Sequence, residues 1–414
     1  MALKEDIPSL RQRLADFANR FDETLREGAA RRTPPKPGNL LDSIISNLRD
    51  LFTRGVTRDG LRDLVRRDAR ETFRFYTRGI DFESLRALPW YQRYPAMAWK
   101  FFVALAYRLS PPRRIAFAVA IFLTLIGWTQ LIIYAARWGP PGEDSGAFWL
   151  LLSFAIIFLL LLIELRDKLD LKGDLEIARE IQFGLVPSGP FHQNGTSIHC
   201  CMRPANTVGG DYYDIIQLAE NKVAIVIGDV AGKGMPAALM MALLQGSLRT
   251  LITAGHRGSE LMTKLNEYLC ANIPENKLVT LFYGELDTAT GELSYVNAGH
   301  NAPVMVRGGT NLERLAATSI VLGIDRNTAF EVKTTEIRPE DRLLLFTDGI
   351  TEAFNLKEEE YGEPRLTAFL QNNAGMPSPE LIKALVSDVL KFCGAARVSD
   401  DMTLMTVTRE NCGL

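Results

Sequence analysis

Cysteine is scarce: five in 414 residues, an odd number, with no C-x-x-C spacing. That excludes a disulfide framework and a thiol-redox motif, and reads as free thiols. Cys200 and Cys201 are adjacent on a predicted strand, so they point to opposite faces and cannot chelate together. Also lacking are G-x-S-x-G, a cysteine-nucleophile signature and H-E-x-x-H, which excludes serine-elbow hydrolases and helix-borne zinc proteases. No secretory signal is read, because the first long apolar run begins only at Ile115. Gly228 to Gly234 (GDVAGKG) has three residues between its first glycines instead of four, and no Ser or Thr follows Lys233, so it is not a phosphate loop. Gly209-Gly210-Asp211 begins like a diguanylate cyclase signature, but the following pair differs and the motif falls too early in its domain.

What is present begins with charge. The formal net charge of -2 hides an uneven distribution. From Leu61 to Arg114 there are 12 Lys and Arg against 5 Asp and Glu, a net of +7 that leaves -9 for the rest. This basic stretch carries Phe, Tyr, Trp and Leu (WYQRYPAMAWKFF), which suits an anionic lipid surface; a small helical domain with a solvated basic face is the alternative. The acidic remainder argues against nucleic acid. Two apolar runs follow, 115–136 and 147–163, spanning about 33 and about 26 Å as helices against a hydrocarbon core of about 30 Å. Ten residues, 137–146, with Gly139-Pro140-Pro141-Gly142 join them, so the runs read as a transmembrane hairpin, with buried core helices as the bland alternative. Lysines and arginines flank the hairpin on both sides, whereas the loop holds only Arg137. The positive-inside rule then puts both termini in the cytoplasm at the inner (cell) membrane.

The chain therefore divides into a basic helical cytoplasmic and juxtamembrane region (1–112), the hairpin (113–163), a signalling linker helix (164–186) and a catalytic domain (187–414). The linker has one apolar stripe, Leu171, Leu175, Ala178, Ile181 and Leu185, weakened at Gly173, and could pair as a homodimer. Pro187 ends it. Beyond it, strand patterns at SIHCCMRPA, YYDIIQLA and KVAIVIGDV precede helices at 236–252 and 258–271. A hairpin turning at Ala289-Thr290-Gly291, strands in APVMVRGG, RLLLFTDG and MTLMTVT, and helices at 363–374 and 378–392 complete an α+β sandwich.

Acidic residues stand at predicted strand ends: Asp211, Asp229, Asp348 and the pair Asp400–Asp401. Each alone is an ordinary turn residue. Gathered at one sheet rim they would repel unless hard cations, which prefer oxygen ligands, lay among them. Two divalent ions could then activate a water against a phosphate, with no side-chain nucleophile.

These residues resemble the PPM-type metal-dependent protein phosphatases, in particular the SpoIIE/RsbU-like bacterial branch. The resemblance covers LEIAREIQFGLVP, PANTVGGDYYD, IGDVAGKGMPAALMMA, NAGHNAP, LLLFTDGITEA and SDDMTLM, in that order. It implies an α-β-β-α sandwich with two Mn2+ or Mg2+ ions between the sheets. Asp211, Asp229, the Val230 carbonyl, Asp348 and Asp400 would bind metal, and Asp401 would stand behind them. Gly209 and Gly210 would allow close backbone approach, and Gly232 and Gly234 would shape the turn into a regulatory helix. Many relatives place a general-acid histidine two residues after the second metal aspartate; here that residue is Ala231. His300 is a nominal substitute, read instead as stabilising a turn. The implied substrate is a phosphoserine or phosphothreonine protein, such as a STAS-domain antagonist in a partner-switching pathway that controls a sigma factor. A catalytically weak binding module, or a scaffold whose basic N-terminal half is the working part, remain the rival readings.

Overall fold

The computed structural model describes residues 89–136, 145–274, 277–309 and 311–410. The expected helical region 1–112 up to residue 88 and the joining turn Gly139–Gly142 lie outside them. Contacts divide the chain into two units, Met1–Leu160 and Leu161–Leu414.

In the first unit α1 (Trp90–Arg108) precedes α2 (Pro111–Ala136). Two prolines open α2, where a missing N–H leaves no intrahelical bond unmade. The next helix, α3, runs Ser145–Leu185. Its first turns touch α2: the Thr124 and Ser153 hydroxyls are 2.6 Å apart, and Ser153 donates to the Ala120 carbonyl at 2.7 Å. A Cβ on Gly127 would come within 2.7 Å of Leu150 Cγ, so glycine is what lets the helices close up. Phe122, Leu125, Trp128, Phe154 and Phe158 are exposed. Among the described residues three helices are long and apolar enough to cross a membrane: Pro111–Tyr134, Gly146–Leu185 and Met235–Thr253, with mean hydropathies of 2.1, 2.8 and 1.3.

The second apolar run (147–163) and the linker helix (164–186) are carried by one helix of 41 residues, α3. The change at Glu164 is one of polarity, which alters a helix's surroundings and not its backbone. No proline intervenes before Pro187, and Gly173 alone weakens the helix by about 1 kcal/mol. Leu171 and Ile181 of the apolar stripe are exposed.

The second unit is built on two antiparallel sheets. One has the order β1 (Phe191–Gln193), β2 (Thr196–Arg203), β11 (Met402–Arg409), β10 (Arg342–Phe346), β7 (Val304–Arg307), β8 (Asn311–Arg314). The other runs β3 (Tyr212–Ala219), β4 (Lys222–Val230), β5 (Val279–Asp287), β6 (Glu292–Ala298), β9 (Lys333–Glu336). Helices α4 (Met235–Thr253) and α5 (Gly258–Asn272) pack on the five-stranded sheet. A short α6 (Asp348–Thr351) leads to α7 (Gly362–Asn372) and α8 (Ser378–Cys393), with α8 against the six-stranded sheet. The four layers are helix, sheet, sheet, helix.

Alternation along the six-stranded sheet creates two cores. Leu343, Leu345, Met405 and Val407 face the core that includes the other sheet, while Leu344, Phe346, Met402 and Leu404 face the core under α7 and α8. Cys200 packs with the first and Cys201 with the second. The third apolar helix, α4, belongs to this unit, with Met241, Leu244, Leu248 and Ile252 in the first core.

One buried polar knot fixes α4 to β3. Asp214 is wholly buried and accepts from Arg249 Nε and Nη2, both at 2.7 Å, and from the Tyr212 hydroxyl at 2.7 Å. Removing only the cation strands a buried carboxylate, which is worse than losing the pair. Arg249→Ala is therefore expected to destabilise the domain by about 3 kcal/mol in calorimetric unfolding, and Arg249→Lys by less.

Candidate active site

Antiparallel pairing explains why the acids meet. Tyr212 pairs with Gly228, so Asp211, just before β3, neighbours Asp229 near the end of β4. Phe346 pairs with Leu404, so Asp348, just after β10, neighbours Asp400–Asp401, just before β11. In detail, Asp229 is the penultimate residue of its strand, Asp348 opens α6 two residues past β10, and Asp211 and Asp401 immediately precede their strands.

Each carboxylate has a different setting. Asp211 is buried, and its Oδ2 accepts from the Thr347 and Thr403 hydroxyls at 2.8 and 2.6 Å. Asp401 accepts backbone N–H bonds from Ala205 on Oδ1 and Gly210 on Oδ2, both at 2.7 Å. It thus anchors the loop that carries Asp211. Asp229, Asp348 and Asp400 are half-buried, and Lys233 Nζ pairs with Asp400 Oδ2 at 2.8 Å.

Glycines make the crowding possible. A Cβ on Gly209 would overlap the Asp401 carboxylate, and one on Gly349 would overlap the Asp401 carbonyl. A Cβ on Gly210 would lie 2.8 Å from the Val230 carbonyl oxygen and 3.3 Å from Asp229 Oδ1. The Gly210 cleft therefore opens onto two of the expected metal donors. Gly232 and Gly234 have φ of 123° and 71°, left-handed values that glycine adopts without strain.

The acids also raise one another's proton affinity. Burial, then Asp348, Asp400 and Asp401, pushes the Asp229 carboxyl up to about 8. Burial, then Asp400 and Glu352, pushes Asp348 up to about 6. Asp211 is held well above the usual range by burial and Asp229, against the pull of the Thr403 and Thr347 hydroxyls. Among the described residues no group of three or more His, Cys, Asp or Glu side chains is placed so that it could hold a metal ion as it stands. The donor chemistry nevertheless fits a hard divalent cation: carboxylates and a backbone carbonyl, crowded without a neutralising charge at Asp229.

Ala231 occupies the general-acid position; its N–H donates to the Leu278 carbonyl and its own carbonyl accepts from Lys277 Nζ at 2.9 Å. His300 is buried, with Nδ1 2.9 Å from the Thr280 hydroxyl and its N–H donating to Asn297 Oδ1 at 2.8 Å. Burial lowers it to about 4, so the ring is neutral. Sequence reasoning passed over Thr347 and Thr403, although both flank motif aspartates. It also passed over Gln182 of α3, whose amide donates to the Gly209 carbonyl at 2.7 Å and accepts from the Gly209 N–H at 3.1 Å. Gln245 of α4 donates to the Leu185 carbonyl, a second tie to the end of α3.

Comparison with known proteins points the same way for the second unit. Residues 219–410 match the family model described as stage II sporulation protein E, SpoIIE. Those residues form a SpoIIE domain. The match supports a SpoIIE/RsbU-like PPM phosphatase domain in this part of the chain. Protein IcfG of Synechocystis sp. is 28% identical over 274 residues, covering 59% of this chain and 43% of that one. Phosphoserine phosphatase RsbU of Bacillus subtilis is 26% identical over 242 residues, covering 58% of this chain and 71% of RsbU. The chain thus spans less than half the length of IcfG. The SiaA-PP2C domain of Pseudomonas aeruginosa superposes with a TM-score of 0.53 at 20% identity, over 59% of this chain and 98% of that domain. The SpoIIE domain therefore has the PP2C fold.

The raised carboxyls give a pH dependence. An acid whose folded pKa is raised stabilises the fold fully below its unfolded value near 4, and that stability is lost as pH climbs through the folded value. With chelator present, the melting temperature is expected to fall as pH rises through about 6 and then about 8, the values of Asp348 and Asp229. The increment restored by Mn2+ should grow over the same range, because protons and ions contend for the same oxygens. Scanning calorimetry across this range checks both; a flat chelator curve with a constant increment would contradict the argument.

Proposed function

We propose that the chain is a membrane-anchored cytoplasmic protein serine/threonine phosphatase that hydrolyses phosphoserine or phosphothreonine in a protein substrate. The observation that carries this reading is the meeting of Asp211 and Asp229 from one sheet with Asp348 and Asp400 from the other, the last three of them within the SpoIIE match and Asp211 just before it. These four carboxylates and the Val230 carbonyl would hold two divalent cations, Mn2+ or Mg2+. When bound, such ions supply an activated water near neutral pH and neutralise phosphate oxygens. The chain's own part is positioning. Thr347 and Thr403 orient Asp211, Asp401 fixes the Gly209–Asp211 loop, and Gly210 keeps the cleft open. With alanine at 231 and a buried, neutral His300, the leaving oxygen takes its proton from water.

RsbU is named a phosphoserine phosphatase, which supports phosphoserine as the group hydrolysed; a STAS-domain phosphoprotein in a partner-switching pathway is the substrate proposed with it. Anchoring rests on α2 and the apolar half of α3, read as a hairpin with both ends cytoplasmic, and on Tyr91, Tyr94, Trp99 and Tyr107 exposed on α1 near anionic lipid. The linker part of α3, exposing Leu171 and Ile181, suits pairing with a second copy.

Phosphate release from a phosphoserine protein by the full-length chain tests the activity. Asp229→Asn and Asp348→Asn should each lower release by about a hundredfold or more at saturating Mn2+, and chelator should abolish it in the wild type. Wild-type turnover in both variants would refute the assignment. Gln182→Ala addresses the link from α3 to the site. It should raise the Mn2+ concentration needed for half-maximal release while leaving the pairing knot at Asp214, and hence cooperative unfolding, in place. An unchanged Mn2+ requirement would remove Gln182 from the pathway.

A further inference from the structure

The loop between β4 and α4 lacks the spacing of a phosphate loop, yet its lysine reaches the acidic rim. Lys233 Nζ lies 2.8 Å from Asp400 Oδ2 and donates to the Ser399 carbonyl at 2.6 Å. Left-handed glycines on both sides, Gly232 and Gly234, fold the backbone so that the side chain turns back over the rim. The ammonium covers Asp400 from the solvent side, its own side chain being 53% exposed against 29% for Asp400. It also acts on Asp348, whose carboxyl it pulls down against burial and the neighbouring acids. Lys277, the other lysine at this loop, is turned to the Ala231 carbonyl instead.

We propose that Lys233 is a tethered competitor for the divalent cation at Asp400, so that an ion gains this carboxylate only as the ammonium withdraws. The inference rests on the metal-site reading above and adds a residue that sets the affinity of that site. An ammonium is a single charge with three donors, and the Asp400 carboxylate and Ser399 carbonyl satisfy two of them. A divalent ion brings twice the charge and gathers oxygens from several residues, so it displaces the lysine once its concentration passes a threshold. The lysine fixes that threshold and meanwhile relieves repulsion between Asp400 and Asp348. Lys233 stands two residues before α4, the helix tied to Leu185 through Gln245, so a shift of α4 would move the competitor with it.

The test is direct Mn2+ binding to the full-length chain in detergent, by calorimetry and by electron paramagnetic resonance of free Mn2+. Wild type is compared with Lys233→Met, Lys233→Gln and Lys233→Arg. The Met and Gln variants are expected to bind the ion occupying Asp400 about fivefold tighter, the scale of a partly exposed ion pair. They should also melt below wild type in chelator and gain more from Mn2+, whereas Lys233→Arg should follow wild type. Mn2+ bound equally well or more weakly by the Met and Gln variants would overturn the competition and leave the metal site standing. No Mn2+ bound by any of the four proteins would overturn the metal site and the competition with it.

Discussion

The second unit is organised around like charges that two sheets push towards one another. Antiparallel pairing delivers Asp211 and Asp229 from one sheet and Asp348, Asp400 and Asp401 from the other to the same rim. Burial deprives them of water, so each ionised carboxylate raises the cost of ionising the next. The surrounding groups answer that repulsion by separate means. Two threonine hydroxyls act on Asp211, backbone N–H groups on Asp401, and an ammonium on Asp400. Asp229 is answered only by the backbone N–H of Val230 among the described residues, and it is the carboxyl pushed highest among those with a stated value.

The same arrangement makes the Gly209–Asp211 loop a point of convergence. Asp401 grips it through Gly210, and Gln182 grips it through both backbone groups of Gly209. A side-chain amide that both donates to and accepts from one residue fixes that residue's position more tightly than a single bond. The end of α3 is held in turn by Gln245 of α4. Position along α3, the set of α4 and the placement of Asp211 are thus linked by hydrogen bonds between buried or half-buried groups, with few loose steps between them.

Much of this was legible in the sequence, for a physical reason. Strands such as Val223–Ile227 and Leu343–Phe346 are unbroken apolar runs because both of their faces are covered, and that texture is visible without a structure. Acidic residues with glycine beside them mark where such strands break off, so the aspartates of the rim could be picked out. What sequence could not give was the partner set. Thr347, Thr403 and Gln182 are ordinary polar residues whose role appears only when distant segments are brought together; Thr403 and Asp211 are far apart in the chain. The short strands β1, β8 and β9 carry too few residues to show a period, and went unseen. That the second apolar run and the linker helix share one unbroken backbone, α3, is a fact of the structure that a boundary drawn on polarity leaves open.

The two-sided burial of the six-stranded sheet has a consequence for how this domain tolerates change. Cys200 and Cys201, neighbours in sequence, belong to different cores, one shared with the opposite sheet and one roofed by α7 and α8. The outer core nevertheless reaches the rim at three points, because Phe346, Ile350 and Met402 belong to it and stand within two residues of Asp348 or Asp401. Lineages descending from this chain would be free to redesign the α7–α8 layer, for solubility or for new neighbours, so long as the packing of those three side chains is kept.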